Sequence, residues 1–231
     1  MAKLLLLSNS TNYGEKYMQW CESIIASFVL EHRENIVFIP YAGVTISYKE
    51  YTNKVNEALA DQRILVHNLE DFDSQLLAIE KATAIFVGGG NTFHLLKTIQ
   101  DKNLIGAIRK KIQSGTPYVG WSAGSNIASP TICTTNDMPI VETTNFNSLA
   151  LVDFQLNPHY TEKTIDGHGG ESRKQRLEEY LAANQGNKVV CLPEESYIVS
   201  DDKNTRYLGT TQGKILRHLS EENILSNYSL V

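Results

Sequence analysis

Cysteine is scarce in this chain and never clustered: Cys21, Cys133 and Cys191 stand far apart, with no C-x-x-C pair. The spacing excludes a thiolate zinc site and a disulfide framework, so the three read as reduced, mostly buried small hydrophobes. There is also no H-E-x-x-H and no pair of histidines one helical turn apart, and the expectation is a protein without metal or cofactor. The apolar run Leu4 to Leu7 stops at Ser8-Asn9-Ser10-Thr11, too short for an export signal or a membrane span. Positive charge is not in excess: 21 Lys and Arg stand against 26 Asp and Glu, a net charge of −5. A nucleic-acid surface needs clustered cations to neutralise phosphates, so that class of partner is not expected. Arg109-Lys110-Lys111 reads as a solvated face or a charge cluster at a helix C-terminus. Repeats, low-complexity tracts and Pro/Gly/Ser linkers are missing as well. The 231 residues are therefore expected to form one domain, 1–231, cytoplasmic, with no membrane partner, as a monomer or homodimer.

What is present is an alternation of strand and helix patterns. Strands are expected at Leu4 to Leu7, Ile36 to Pro40, Ile64 to His67, Ala84 to Val87, Pro117 to Gly120, Phe154 to Leu156 and Val189 to Leu192. Between them lie helical patterns from about Glu15 to His32, Tyr48 to Asp61, Ser74 to Ala82, Thr92 to Gln100, Leu104 to Ser114 and Glu171 to Ala183. The stretch from Pro130 to Ala150 reads as an irregular excursion over the surface. Short antiparallel strands are expected at Tyr197 to Ser200, Arg206 to Thr210 and Lys214 to His218. Repeated strand–helix units imply an α/β fold, a parallel sheet with helices on both faces, whose working site lies beyond the carboxyl ends of the strands. Four segments begin where a strand ends: Gly88 to Asn91, Gly120 to Gly124, Asn157 to Tyr160 and Pro193 to Glu195. They are expected to converge on one edge of the sheet.

Gly120-Trp121-Ser122-Ala123-Gly124 carries the strongest chemical signal. A Gly-x-Ser-x-Gly box after an apolar run describes a strand, a tight turn and a helix, with a serine hydroxyl at the apex. Ser122 is then the candidate nucleophile and the Ala123 N–H one donor to a developing oxyanion. The structural alternative is that a serine in such a turn is just a helix N-cap. A serine nucleophile needs a base. His159, just past a strand and after Pro158, is favoured over His168 in the loop Gly167-His168-Gly169-Gly170. A carboxylate must orient that base. Glu194 follows Leu192-Pro193 at a strand end and is preferred for its rigid support, while Asp137, in the irregular excursion, remains the competitor. The loop Gly88-Gly89-Gly90-Asn91-Thr92 lacks the sixth-position glycine of a dinucleotide fingerprint, having Phe93 there. It is better read as the second half of the oxyanion hole, through Gly89 and Gly90.

With these motifs in this order, the chain resembles the peptidase E family of α-aspartyl dipeptidases. The resemblance is carried by Leu4-Leu5-Leu6-Leu7-Ser8-Asn9-Ser10, Phe38-Ile39-Pro40-Tyr41-Ala42-Gly43-Val44 and Gly88 to Phe93. It continues with the Ser122 box, Thr134-Thr135-Asn136-Asp137-Met138-Pro139-Ile140-Val141, Asn157-Pro158-His159 and Leu192-Pro193-Glu194. It implies a three-layer, flavodoxin-like fold related to class I glutamine amidotransferases, with the triad in the order Ser, His, acid. It also implies a serine dipeptidase that cleaves small acidic dipeptides after a free N-terminal aspartate, through an aspartyl ester and without cofactor. The third triad member stays open between Glu194 and Asp137. The family motif places its substrate-side arginine at Arg173, and the glycine loop and histidine motif add Asn91 and Tyr160 as substrate-wall candidates; Tyr160 departs from the phenylalanine the family leads one to expect. The alternatives are a cyanophycinase-like hydrolase of β-aspartyl linkages and a non-catalytic anion- or peptide-binding module on the same scaffold.

Overall fold

In the computed structural model, which describes residues 2–164, 167, 169–201 and 204–230, the four leucines of β1 (Leu4–Leu7) are buried on both faces. A strand without a polar face has to lie inside a sheet covered on both sides. β1 pairs in parallel with β5 (Tyr118–Trp121), which continues through β4 (Ala84–Val87) and β2 (Ile36–Ile39) to β3 (Val66–Asn68), all parallel. On its other side β1 pairs antiparallel with β8 (Ser196–Ser200), followed by β9 (Thr205–Gly209) and β12 (Tyr228–Ser229). Alternate residues of the strands feed two cores. Leu4, Leu6, Val37, Ile39, Ile85 and Val87 face α3 (Gln75–Lys81), α4 (Thr92–Asp101) and α5 (Ile105–Gln113). Leu5, Leu7, Ile36, Phe38, Phe86 and Trp121 face α1 (Glu22–Phe28) and α2 (Tyr48–Leu59). Each buried aliphatic side chain of this kind contributes roughly 1.5–3 kcal/mol. The result is the three-layer, mostly parallel α/β fold of flavodoxin-like type.

Two expectations change. The helix from Glu15 to His32 shrinks to Glu22–Phe28, because Met18 adopts a φ of +61° and its N–H turns back to the Ser10 carbonyl, 2.7 Å away. Apolar spacing there reports burial of Met18 and Cys21 in a run of turns, not a helical ladder. Second, the strands around Asn157 and Pro193 do not join the main sheet. β6 (Gln155–Pro158) and β7 (Lys188–Leu192) run parallel, linked by α7 (Arg173–Ala183), and β7 pairs antiparallel with β10 (Gly213–Arg217), which carries β11 (Ser220–Ile224). The four site segments therefore converge where two sheets abut, not along one edge. One hydroxyl bridges the abutment at the site. Ser8, just past β1, donates to the Leu192 carbonyl at the end of β7 (2.8 Å) and accepts from the His159 N–H (2.9 Å). Glu195, with φ +62°, turns the chain from β7 back into β8 of the main sheet. Leu156, Val190 and Leu192 of the smaller sheet share one core cluster with Leu4 and Val87 of the larger. Among the described residues, no helix is long and apolar enough to cross a membrane.

Candidate active site

β5 ends at Trp121, and the chain then makes the elbow required to reach the short helix α6 (Ala123–Asn126). Ser122 sits there with φ +54° and ψ −114°, a region that non-glycine residues rarely enter and that costs on the order of 1–3 kcal/mol. Two glycines make the packing possible: a Cβ on Gly120 would lie 2.5 Å from the Gly124 carbonyl oxygen. A Cβ on Gly124 would lie 2.1 Å from the Val87 carbonyl oxygen, so α6 can press onto the end of β4 only without one. The Tyr118 hydroxyl donates to the Gly124 carbonyl (2.5 Å), and the Ser125 hydroxyl to the carbonyls of Leu7 and Gly120 (2.6 and 2.8 Å), which locks the elbow from below.

Ser122 Oγ lies 2.9 Å from His159 Nε2, and His159 Nδ1 lies 3.2 Å from Glu194 Oε1. His159 follows β6 with φ +54°; its N–H goes to Ser8, and its carbonyl accepts from Arg173. The ring is thus aimed by contacts from β1, β7 and α7 rather than by its own strand alone. Glu194 reaches it from the turn after β7. Asp137 does not reach His159. Its Oδ2 accepts the Thr92 N–H (2.7 Å) and the Thr92 hydroxyl (2.6 Å) at the first turn of α4, with the Thr135 hydroxyl at 3.2 Å. A carboxylate there satisfies an otherwise orphaned helix N–H and sits at the positive end of the helix dipole.

The glycine loop lies directly against the elbow: a Cβ on Gly89 would approach Ser122 Cβ to 3.0 Å. Among the described residues, the N–H groups of Gly89, Gly90 and Ala123 have no acceptor. Asn91 is spent structurally, its Oδ1 accepting the His94 N–H as the N-cap of α4 and its Nδ2 donating to the Met138 carbonyl. Gly90 has φ +137°, and a Cβ there would fall 2.1 Å from the Ala42 carbonyl oxygen. Gly90→Ala is accordingly expected to displace the loop, cost roughly 1–3 kcal/mol in thermal unfolding and lower turnover at least tenfold. A variant with unchanged stability and rate would show that the loop is not held as described.

Ser122, Ala123, Thr92, Asp137, His159 and Arg173 line one cavity of about 220 Å³. Arg173 opens α7 behind the N-cap Ser172, whose capping box with Gln175 fixes the helix start. Burial and the neighbouring Arg176 make its charge costly, which lowers its pKa, and among the described residues it forms no ion pair. Asp137, Asn136, Thr135 and Arg173 also face an adjoining cavity of about 390 Å³. Of the wall candidates, Arg173 lines the Ser122 cavity, whereas Asn91 and Tyr160 do not. The Tyr160 ring packs with Leu177, Leu181 and Cys191, and its hydroxyl donates to Glu162 (2.9 Å), so it is not part of the lining of the Ser122 cavity. His168 lies outside the described residues. Groups that could gather a metal ion, three or more of His, Cys, Asp and Glu, do not occur among the described residues. Sequence reasoning passed over Ser8, Thr92 and Thr135; a hydroxyl directly after a strand end is the only local sign of Ser8.

The model of peptidase family S51 matches residues 4–208. A peptidase E from Nostoc sp. is 46% identical over 207 residues, covering 90% of this chain and 86% of the relative. Peptidase E of Salmonella typhimurium is 45% identical over 196 residues, 85% of each chain. Among solved structures, a candidate peptidase E from Listeria monocytogenes superposes with a TM-score of 0.70 at 25% identity, over 91% of this chain and all of the other. A peptidase from an acI-B1 Actinobacterium, at 18% identity and a TM-score of 0.75 over 100% of this chain and 96% of its own, shares the fold.

Proposed function

The chain belongs to peptidase family S51, and from that premise we propose that it is a serine dipeptidase that hydrolyses Asp-X dipeptides with a free amino terminus. The observation that carries the reading is the Ser122 Oγ–His159 Nε2 contact at a strained elbow, on the wall of a small cavity that also holds Arg173, which has no carboxylate partner among the described residues. Ser122 Oγ attacks the carbonyl carbon of the aspartyl residue while His159 Nε2 takes its proton. The carbonyl electrons move onto oxygen, which is held by the N–H groups of Ala123 and of Gly89 or Gly90. Glu194 keeps the imidazole oriented with Nδ1 protonated and stabilises the imidazolium. His159 then gives the proton to the leaving amine, the C–N bond breaks and an aspartyl ester of Ser122 remains. A water, deprotonated by His159, hydrolyses that ester and restores the serine.

Arg173 receives the side-chain carboxylate of the substrate. A planar guanidinium can accept it bidentately, and the ligand offsets both burial and the repulsion from Arg176 that the free cation bears. A cavity of about 220 Å³ suits one small acidic residue better than a long peptide.

The reading is tested by kcat/KM on a panel of Asp-X, Glu-X, Asn-X, Ala-X and β-Asp-X dipeptides. Asp-X is expected to lead; a preference for β-Asp-X would transfer the chain to the cyanophycinase-like alternative, and no cleavage of any member would overturn the peptidase assignment of this site. Arg173→Met is expected to reduce the Asp-over-Ala ratio about 100-fold, the scale of a lost charge-assisted pair. Because Arg173 also holds the His159 carbonyl, the ratio is the proper readout: a uniform loss on both substrates would refute its part in specificity.

A further inference from the structure

Gly88-Gly89-Gly90 has no side chains with which to hold itself, and a glycine peptide flips at little steric cost. Among the described residues, one buried side chain hydrogen-bonds it. Tyr51, on α2, donates its hydroxyl to the Gly89 carbonyl at 2.9 Å and accepts from Trp121 Nε1 at 3.1 Å. Trp121 is the residue immediately before Ser122, so the same hydroxyl touches both the nucleophile strand and the glycine loop. The three aromatics are set rigidly: Phe38 stacks on Trp121 with centroids 5.6 Å apart and meets Tyr51 edge-on at 5.1 Å. Room for the hydroxyl depends on Gly88, where a Cβ would lie 2.7 Å from Tyr51 Oη.

The Gly89 carbonyl and the Gly90 N–H belong to one planar trans peptide, in which they point in opposite directions. Fixing the carbonyl therefore fixes the N–H. We propose that Tyr51 is a positioning residue for the reaction: it pins the Gly89 carbonyl away from the cavity and so aims the Gly90 N–H at the oxyanion. This rests on the serine-peptidase reading above. Burial raises the Tyr51 pKa, which keeps the hydroxyl a donor at any working pH. A second pin, Asn91 N–H to the Ala42 carbonyl at 2.8 Å, fixes the downstream end of the loop but leaves the Gly89–Gly90 peptide free to rotate.

The test is Tyr51→Phe, which keeps the ring and removes the pin. Its kcat, referred to folded enzyme, is expected to fall roughly 10–100-fold with KM nearly unchanged, somewhat less than the loss of a whole oxyanion donor. In protein labelled with ¹⁵N-glycine, the Gly90 amide resonance should move or broaden while that of the remote Gly186 stays in place. Gly88→Ala approaches the same point from the other side, pushing the hydroxyl off with the tyrosine retained, and should reproduce both effects. A kcat within twofold of the parent, a loss confined to KM, or an unmoved Gly90 amide in a folded variant would overturn the proposal. Failure of the parent enzyme to cleave any dipeptide would instead sink the peptidase reading, and the amide measurement, which needs no substrate, tells the two failures apart.

Discussion

Replacing Ser122 by alanine is expected to reduce Asp-X hydrolysis by about 10⁵–10⁶-fold while leaving the fold intact, the scale seen when the nucleophile of a serine hydrolase is removed. The asymmetry follows from what the hydroxyl touches. Its hydrogen-bond partner is His159 Nε2, and no cap or core contact depends on it. The backbone strain at φ +54° is borne by Ala as by Ser, so unfolding stability should change by less than about 1 kcal/mol. Any residual rate reports the oxyanion donors and substrate positioning alone. Turnover by S122A at more than a hundredth of the parent rate would mean that another group attacks the peptide.

The second large effect separates the two carboxylates. Glu194→Gln keeps the size of the side chain but removes the charge opposite Nδ1, and kcat is expected to fall about 10²–10³-fold. The loss should be smaller than that for a sealed triad acid, because Glu194 and His159 are both substantially solvent-exposed (55% and 40% at the side chain) and water screens the missing charge. Asp137→Asn should do the reverse. It weakens the charged acceptor of the Thr92 N–H and hydroxyl at the start of α4, at a cost of about 1–2 kcal/mol, or roughly 3–6 °C in Tm for a chain of this size. Its kcat should stay within about tenfold. Steady-state rates and thermal melts of the two variants check this together; a larger kcat loss in D137N than in E194Q would make Asp137 the orienting acid.

Much of this arrangement is legible in the sequence, for identifiable reasons. Leu4 to Leu7 and Ala84 to Val87 read as buried strands because a short apolar run closed by polar or glycine residues has few other solutions, and the Ser122 box could be placed because its glycines answer to a steric need. That Glu194 rather than Asp137 stands next to His159 also follows from placement: one comes directly after a strand, the other lies in an irregular stretch. What stayed hidden was pairing between distant segments. Nothing in the spacing of β6 and β7 says that they leave the main sheet, since that depends on β10, more than twenty residues beyond β7, taking the place beside it. Met18 carries a helical apolar period into a turn because burial, not hydrogen bonding, sets that period. Ser8 and Tyr51 look like ordinary residues after a strand and within an amphipathic helix; their importance lies in partners 184 and 38 positions away, respectively.

The proposed mechanism passes through a covalent aspartyl ester on Ser122, and acid-quenched mass spectrometry of the enzyme during turnover of an Asp-X substrate with a good leaving group reads it directly. The account predicts an aspartyl adduct on the peptide containing Ser122, present at steady state and absent in S122A. Steady turnover with no adduct on that peptide, or an adduct on another residue, would contradict it.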